Sequence, residues 1–114
     1  MTEPGSRLQA QRRVLLKRLA QLSEDVEEMV EATRDANSDD EHDPEGATIA
    51  FERAQLLALA RQARVQLSEV DAALERVTSE TFGVCERCGL PIAAERLEVR
   101  PVARHCIDCA RARA

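Results

Sequence analysis

Aromatic side chains are nearly missing from this 114-residue chain: Phe51 and Phe82 are the two that occur, with no Trp and no Tyr. Large rings bury about 150–250 Å² each and dominate thick cores, so a deep globular core is not expected. The apolar content is carried by Ala, Leu and Val, which suit the thin interface between packed helices. No apolar run approaches the roughly 18 residues that suggest a membrane span. The opening Met1-Thr2-Glu3-Pro4-Gly5-Ser6-Arg7 lacks the apolar stretch of a secretory signal. A reducing, cytoplasmic location is therefore expected, where paired cysteines usually bind metal. Lysine is scarce too, Lys17 standing against fifteen arginines. With Ala abundant, this bias reads as codon composition and not as an Arg-specific function.

Concentrated positive charge is also lacking. The formal net charge is −5; residues 83–114 hold six basic and four acidic side chains, and residues 1–82 hold ten basic and seventeen acidic. Phosphate neutralisation needs clustered cations, so an acidic body with a mildly basic end disfavours general nucleic-acid binding.

What is present is heptad periodicity. A first helix is predicted from Ser6, as N-cap, to about Asn37. Leu15, Leu19, Leu22, Val26, Met29 and Thr33 alternate four and three residues apart, following Leu8 at the start, and Glu24, Asp25, Glu27, Glu28 and Glu31 lie off this seam. A second helix is predicted from Pro44, after Asp43 as N-cap, to Ser79. After Ile49, its seam runs through Leu56, Ala60, Ala63, Leu67, Val70, Leu74 and Val77, with the alanines permitting close approach of the backbones. Joined by a short polar connector, the two helices are expected to close on each other as an antiparallel coiled-coil hairpin. An intermolecular coiled coil is the competing arrangement; the short connector favours a monomer. The connector, residues 35–46, is half acidic, six of its twelve residues being Asp or Glu. By itself such a stretch reads as a solvated loop.

Cys85-Glu86-Arg87-Cys88 is separated by seventeen residues from Cys106-Ile107-Asp108-Cys109, a spacing expected of a four-thiolate zinc site. Two residues between thiols let one tight turn present both sulfurs to a tetrahedral metal. Gly89 supplies the positive φ that such a turn demands, and Pro91 blocks a helix. Four thiolates leave no open position for water, so one structural Zn²⁺ is the expectation. Two disulfides, a redox switch or iron are the alternatives. His105 stands beside Cys106 as a supporting or surface residue, and His42 needs no metal role. About thirty residues bury too little surface to fold alone, so the metal must supply much of the folding energy. Phe82-Gly83 is expected to end the second helix and dock the finger on its last turn.

The expected fold is all-α: a long antiparallel coiled-coil hairpin over residues 1–80 with an acidic tip at 35–46, then a four-cysteine zinc finger with a short C-terminal helix over 81–114. This combination is similar to the DksA/TraR family of bacterial transcription factors. The resemblance is carried by Thr81-Phe82-Gly83-Val84-Cys85-Glu86-Arg87-Cys88-Gly89-Leu90-Pro91-Ile92, by Arg96-Leu97-Glu98-Val99-Arg100-Pro101 and by Cys106-Ile107-Asp108-Cys109. With the hairpin it covers nearly the whole chain. It implies direct binding to RNA polymerase, the coiled coil entering the secondary channel and the tip lying near the active-site magnesium. On that reading Asp43, with Asp39, Asp40, Glu41 and Glu45, carries regulation, and Arg87, Arg96, Arg100 and Arg104 contact the polymerase. The family's tip has two aspartates three apart before an alanine. Here Asp43 takes the first place, Gly46 the second and Thr48 the alanine's. Family members that respond to guanosine tetraphosphate carry basic side chains where this chain has Gln62, Val65 and Glu69, so that ligand is not expected, although Arg100 lies in the finger.

Two other functions fit parts of the chain. A sequence-specific DNA-binding finger fits the thiol spacing but not the weak charge; a zinc-stapled adaptor whose coiled coil pairs with another helix fits the heptads. Enzymatic activity is not expected, since the sequence has no open metal site, no Gly-rich phosphate loop and no Ser/His/Asp grouping.

Overall fold

The computed structural model describes residues 3–36 and 44–113. Among these residues four helices follow one another: α1 Glu3–Ala36, α2 Pro44–Thr78, α3 Ala94–Val99 and α4 Ile107–Arg113. Extended pairing among the described residues is limited to an isolated antiparallel bridge between Val84 and Pro91, so the all-α expectation holds. No helix among them is long and apolar enough to cross a membrane.

α1 begins at Glu3, so Ser6 is a helical residue and not the N-cap. Pro4 accounts for the earlier start. Its missing N–H is one of those a helix leaves unpaired anyway, and its fixed φ is pre-set for the first turn. The Glu3 carboxylate also lies at the positive end of the helix dipole. The expected stop near Asn37 and the Asp43 cap lie outside the described residues. α2 opens on Pro44 as expected.

α2 ends at Thr78, and the stop is not Phe82-Gly83 but Glu80, which adopts φ 61°. The Glu80 N–H donates to the Val77 carbonyl at 3.3 Å and the Thr81 N–H to the Arg76 carbonyl at 2.8 Å. This is Schellman pairing, which requires a left-handed residue just past the helix. The Phe82 N–H reaches the same Arg76 carbonyl at 3.1 Å, so Phe82 still folds back onto the last turn. A glutamate in the usual place of glycine is the reason the stop is invisible in the sequence.

The chain forms two compact units, Val14–Leu67 and Met1–Arg13 with Ser68–Ala114. The start of α1 shares a unit with the end of α2, so the helices run antiparallel. In the unit Val14–Leu67, Leu15 and Leu22 are buried with Ala60 and Ala63. Leu19, Val26, Met29, Ile49, Leu56 and Leu67 are half-buried. These are the heptad positions, and the buried alanines keep the contact thin. In the other unit the core is Leu8, Val70, Ala73, Cys85, Ile92 and Ala103.

Arg12 falls on the heptad between Leu8 and Leu15, where the apolar pattern lapses. Its Nε lies 2.8 Å from an Asp71 carboxylate oxygen, with both side chains over a third exposed. Such a pair contributes about 0–1 kcal/mol, and it fixes helix register more than it stabilises.

Replacing Glu80 with Gly removes a Cβ from a left-handed residue, offset in part by the greater freedom of the unfolded glycine. We expect a net gain of about 0.5–1 kcal/mol in chemical denaturation. A loss would show that the Glu80 side chain itself holds the turn.

Candidate metal centre

The first pair of cysteines is presented by a tight hairpin. The Ile92 N–H donates to the Gly83 carbonyl at 2.7 Å, the Cys85 N–H to Leu90 at 2.8 Å, and the Gly89 N–H to Cys85 at 3.0 Å. Gly89 sits at φ 76°, and an added Cβ there would meet nothing within 4 Å. The need for glycine at 89 is therefore one of backbone conformation alone. Gly83 has φ 82° and faces Leu97, whose Cδ1 would lie 3.4 Å from an added Cβ.

The second pair comes from the start of α4. Cys106 immediately precedes the helix and Cys109 lies in its first turn, with the Ala110 N–H closing on the Cys106 carbonyl at 2.9 Å. The two pairs are tied by the Glu86 N–H, which donates to the Arg104 carbonyl at 2.9 Å.

All four sulfurs lie within 4.8 Å of one another, and those of Cys88 and Cys106 are 3.8 Å apart. A tetrahedron with metal–sulfur bonds of about 2.3 Å has an edge of about 3.8 Å, so the donor set matches zinc. A disulfide needs sulfurs about 2.05 Å apart, and all four cysteines are free. The chemistry of four thiolates around one ion is structural. Cys85 is 1% exposed, so the site reaches into the core of its unit.

The thiols titrate very differently. Burial pushes Cys85 up, but the backbone groups of Cys88, Cys106 and Arg87, with the Cys88 side chain, outweigh it and hold Cys85 at about 6. At Cys88 the Leu90 backbone pulls down, while burial and the thiols of Cys85 and Cys106 win and raise it. The Cys106 side chain, then burial, then the thiols of Cys85 and Cys88 raise Cys109 to about 12. Crowded thiols cannot all ionise without a cation, and a divalent ion inverts that logic.

A residue the sequence reading missed holds this site to α2. Arg76, in the last turn of α2, donates through Nη2 to the Val102 carbonyl at 3.3 Å. Its Nη1 lies 3.8 Å from Glu86, which Arg104 also approaches at 3.5 Å. Burial, then the charge of Arg104, lower the Arg76 pKa, partly countered by Glu86. The available signal was a lone basic residue at a helix C-terminus before a metal motif. Arg96 is likewise used internally, its Nε donating to the His105 carbonyl at 3.0 Å. Arg87 and Arg100 are exposed. Asp39, Asp40, Glu41 and Asp43 lie outside the described residues, and Glu45 falls in the first turn of α2.

Fold and site together define a helical-hairpin protein with a C-terminal four-cysteine zinc finger. A model of the prokaryotic dksA/traR C4-type zinc finger matches residues 80–113. The proteins named RNA polymerase-binding transcription factor DksA from Escherichia coli K12 and Salmonella typhimurium LT2 are each 46% identical over 46 residues. The same-named protein of Haemophilus influenzae is 41% identical over 46 residues. The matched stretch spans 40% of this chain but only 30–32% of those relatives. Transcription factor DksA2 from Pseudomonas aeruginosa superposes with a TM-score of 0.59 at 27% identity, covering 95% of this chain and 83% of that one. Residues 80–113 are thus similar to the DksA/TraR C4-type zinc finger, and the four cysteines are placed to hold one structural zinc ion.

Loading zinc at pH 7 should release protons, with Cys88 and Cys109 each giving one up. Affinity should fall as pH is lowered, more steeply below about 6 where Cys85 also binds a proton. Proton uptake or no pH dependence in calorimetry would contradict thiolate ligation. Chelation, or Cys88→Ser, should abolish hydrogen-exchange protection over residues 83–109 while the helical signal largely remains. Structural zinc is worth on the order of 10 kcal/mol to a small module, so undiminished protection would exclude this role.

Proposed function

We propose that this protein is a transcription factor that binds RNA polymerase directly and modulates initiation. The observation that carries the reading is the likeness to Pseudomonas aeruginosa DksA2 over 95% of the chain. The 46-residue match to proteins named RNA polymerase-binding transcription factors supports it. The partner is RNA polymerase in the cytoplasm, the protein acting as a monomer without sequence-specific DNA contacts.

In this proposal Cys85, Cys88, Cys106 and Cys109 hold the zinc, and residues 81–114 form a module at the base of the hairpin of residues 1–80. The hairpin enters the secondary channel. Asp43, with Asp39, Asp40, Glu41 and Glu45, acts near the catalytic magnesium, where carboxylates interact with hard cations and basic groups. Arg87 and Arg100 are the better placed of the four arginines to contact the polymerase, since Arg96 and Arg104 already have partners within the chain. Binding would alter the stability of the initiation complex; the chemistry remains the polymerase's.

Purified core polymerase should retain the zinc-loaded protein, and a secondary-channel factor should displace it. Retention that the competitor leaves intact would place the contact elsewhere. No retention, where a related factor binds, would turn the reading toward an adaptor or a DNA-binding finger, the latter marked by steep salt dependence. Asp43→Asn removes one charge at nearly constant volume; it should leave binding unchanged within about twofold, yet change transcription from sensitive promoters. Unchanged transcription would reduce the tip to a solvated loop.

A further inference from the structure

Packing loosens along the unit Val14–Leu67. Leu15, Leu22, Ala60 and Ala63 are buried, whereas Met29, Ile49 and Leu56 are only half-buried. Between α1 and α2 at this loosened end runs an open groove of about 490 Å³. Its apolar floor is Met29 and Ala32 from α1 with Ile49 and Leu56 from α2, and its rim is Asp25, Glu28 and Glu52. No cation is present among the lining residues, and none of the ion pairs among the described residues involves the three rim carboxylates. Asp25 accepts a hydrogen bond from Gln21 at 3.0 Å; Glu28 and Glu52 are exposed to water.

Apolar surface left open between Asp25 and Glu28 on one side and Glu52 on the other selects its occupant by both properties. Ile49 and Leu56 stand seven residues apart on one helix, about 10 Å along the axis by the usual rise. That spacing accepts apolar side chains at i, i+3 or i+4, and i+7 of another helix. The rim demands lysine or arginine beside those anchors, because unlike charges across an interface favour the right partner and oppose acidic ones. We propose that this groove is a docking site for a basic amphipathic helix of a partner protein. The inference makes no use of the polymerase reading, and its test contains no polymerase, so either can fail alone.

The probes are two synthetic helical peptides, both with Leu at i, i+3, i+4 and i+7, one flanked by Lys and one by Glu. Each is titrated into the zinc-loaded, ¹⁵N-labelled full chain. The Lys peptide should give saturable amide shifts centred on Ala32, Ile49 and Leu56, and should bind about tenfold more tightly than the Glu peptide. Glu28→Lys with Glu52→Lys, both at exposed positions, should weaken the Lys peptide about tenfold. Glu24→Lys with Glu27→Lys, neither of which lines the groove, should change its affinity less than about twofold. Equal weakening by the two double variants would overturn the proposal, leaving only a generally acidic face. Non-saturable shifts, or shifts confined to the outer carboxylates of α1, would overturn it equally.

Discussion

Four thiols held within 4.8 Å of one another are the constraint on which the C-terminal module depends. Without a cation the cluster opposes itself: Cys85 ionises readily, and that favours protons on Cys88 and Cys109. A divalent ion turns this repulsion into four bonds. Little else is available to hold residues 80–113 together. Among the described residues of that stretch the buried side chains are Cys85, Ile92 and Ala103, and one of the three is placed as a ligand. Two of the turns that aim the sulfurs use glycines at positive φ, Gly83 and Gly89, and ion binding must hold that backbone in place.

The hairpin works by a different economy. With two aromatics in the whole chain, helix contact rests on Leu, Val and Ala repeated at heptad spacing. Each contact is small, and the sum suffices because the seam is long and the helices are continuous. Polar side chains on or beside the seam set alignment, as Arg12 does with Asp71. Arg76 links the end of α2 to the finger's loops by hydrogen bond and shared carboxylate, so metal binding and helix packing meet within one unit.

The zinc-finger likeness and the functional proposal rest on different spans. The finger carries the sequence likeness and explains the zinc. The likeness in three dimensions extends over 95% of the chain at 27% identity, as expected where heptad packing accepts many apolar combinations. A function exercised through the hairpin can therefore persist while its surface diverges. The acidic groove of α1 and α2 is such a surface, with its chemistry set by Glu28 and Glu52 and not by the packing positions.

The heptads, the helix start at Pro44 and the four zinc-ligand candidates were legible in the sequence because each follows from local spacing. Periodicity reports which face of a helix is buried, and C-x₂-C reports one turn around one ion. The start of α1 at Glu3 and the stop at Glu80 were not legible, since Ser6 is the commoner cap and glycine the commoner left-handed residue. Nor was the fate of the arginines: Arg76 and Arg96 are indistinguishable from surface residues until folding brings the Val102 and His105 carbonyls to them. The groove is likewise a tertiary fact. Asp25, Glu28 and Glu52 are ordinary helix carboxylates in the sequence, and they become the rim of one site only because antiparallel packing sets Met29 and Ala32 beside Ile49 and Leu56.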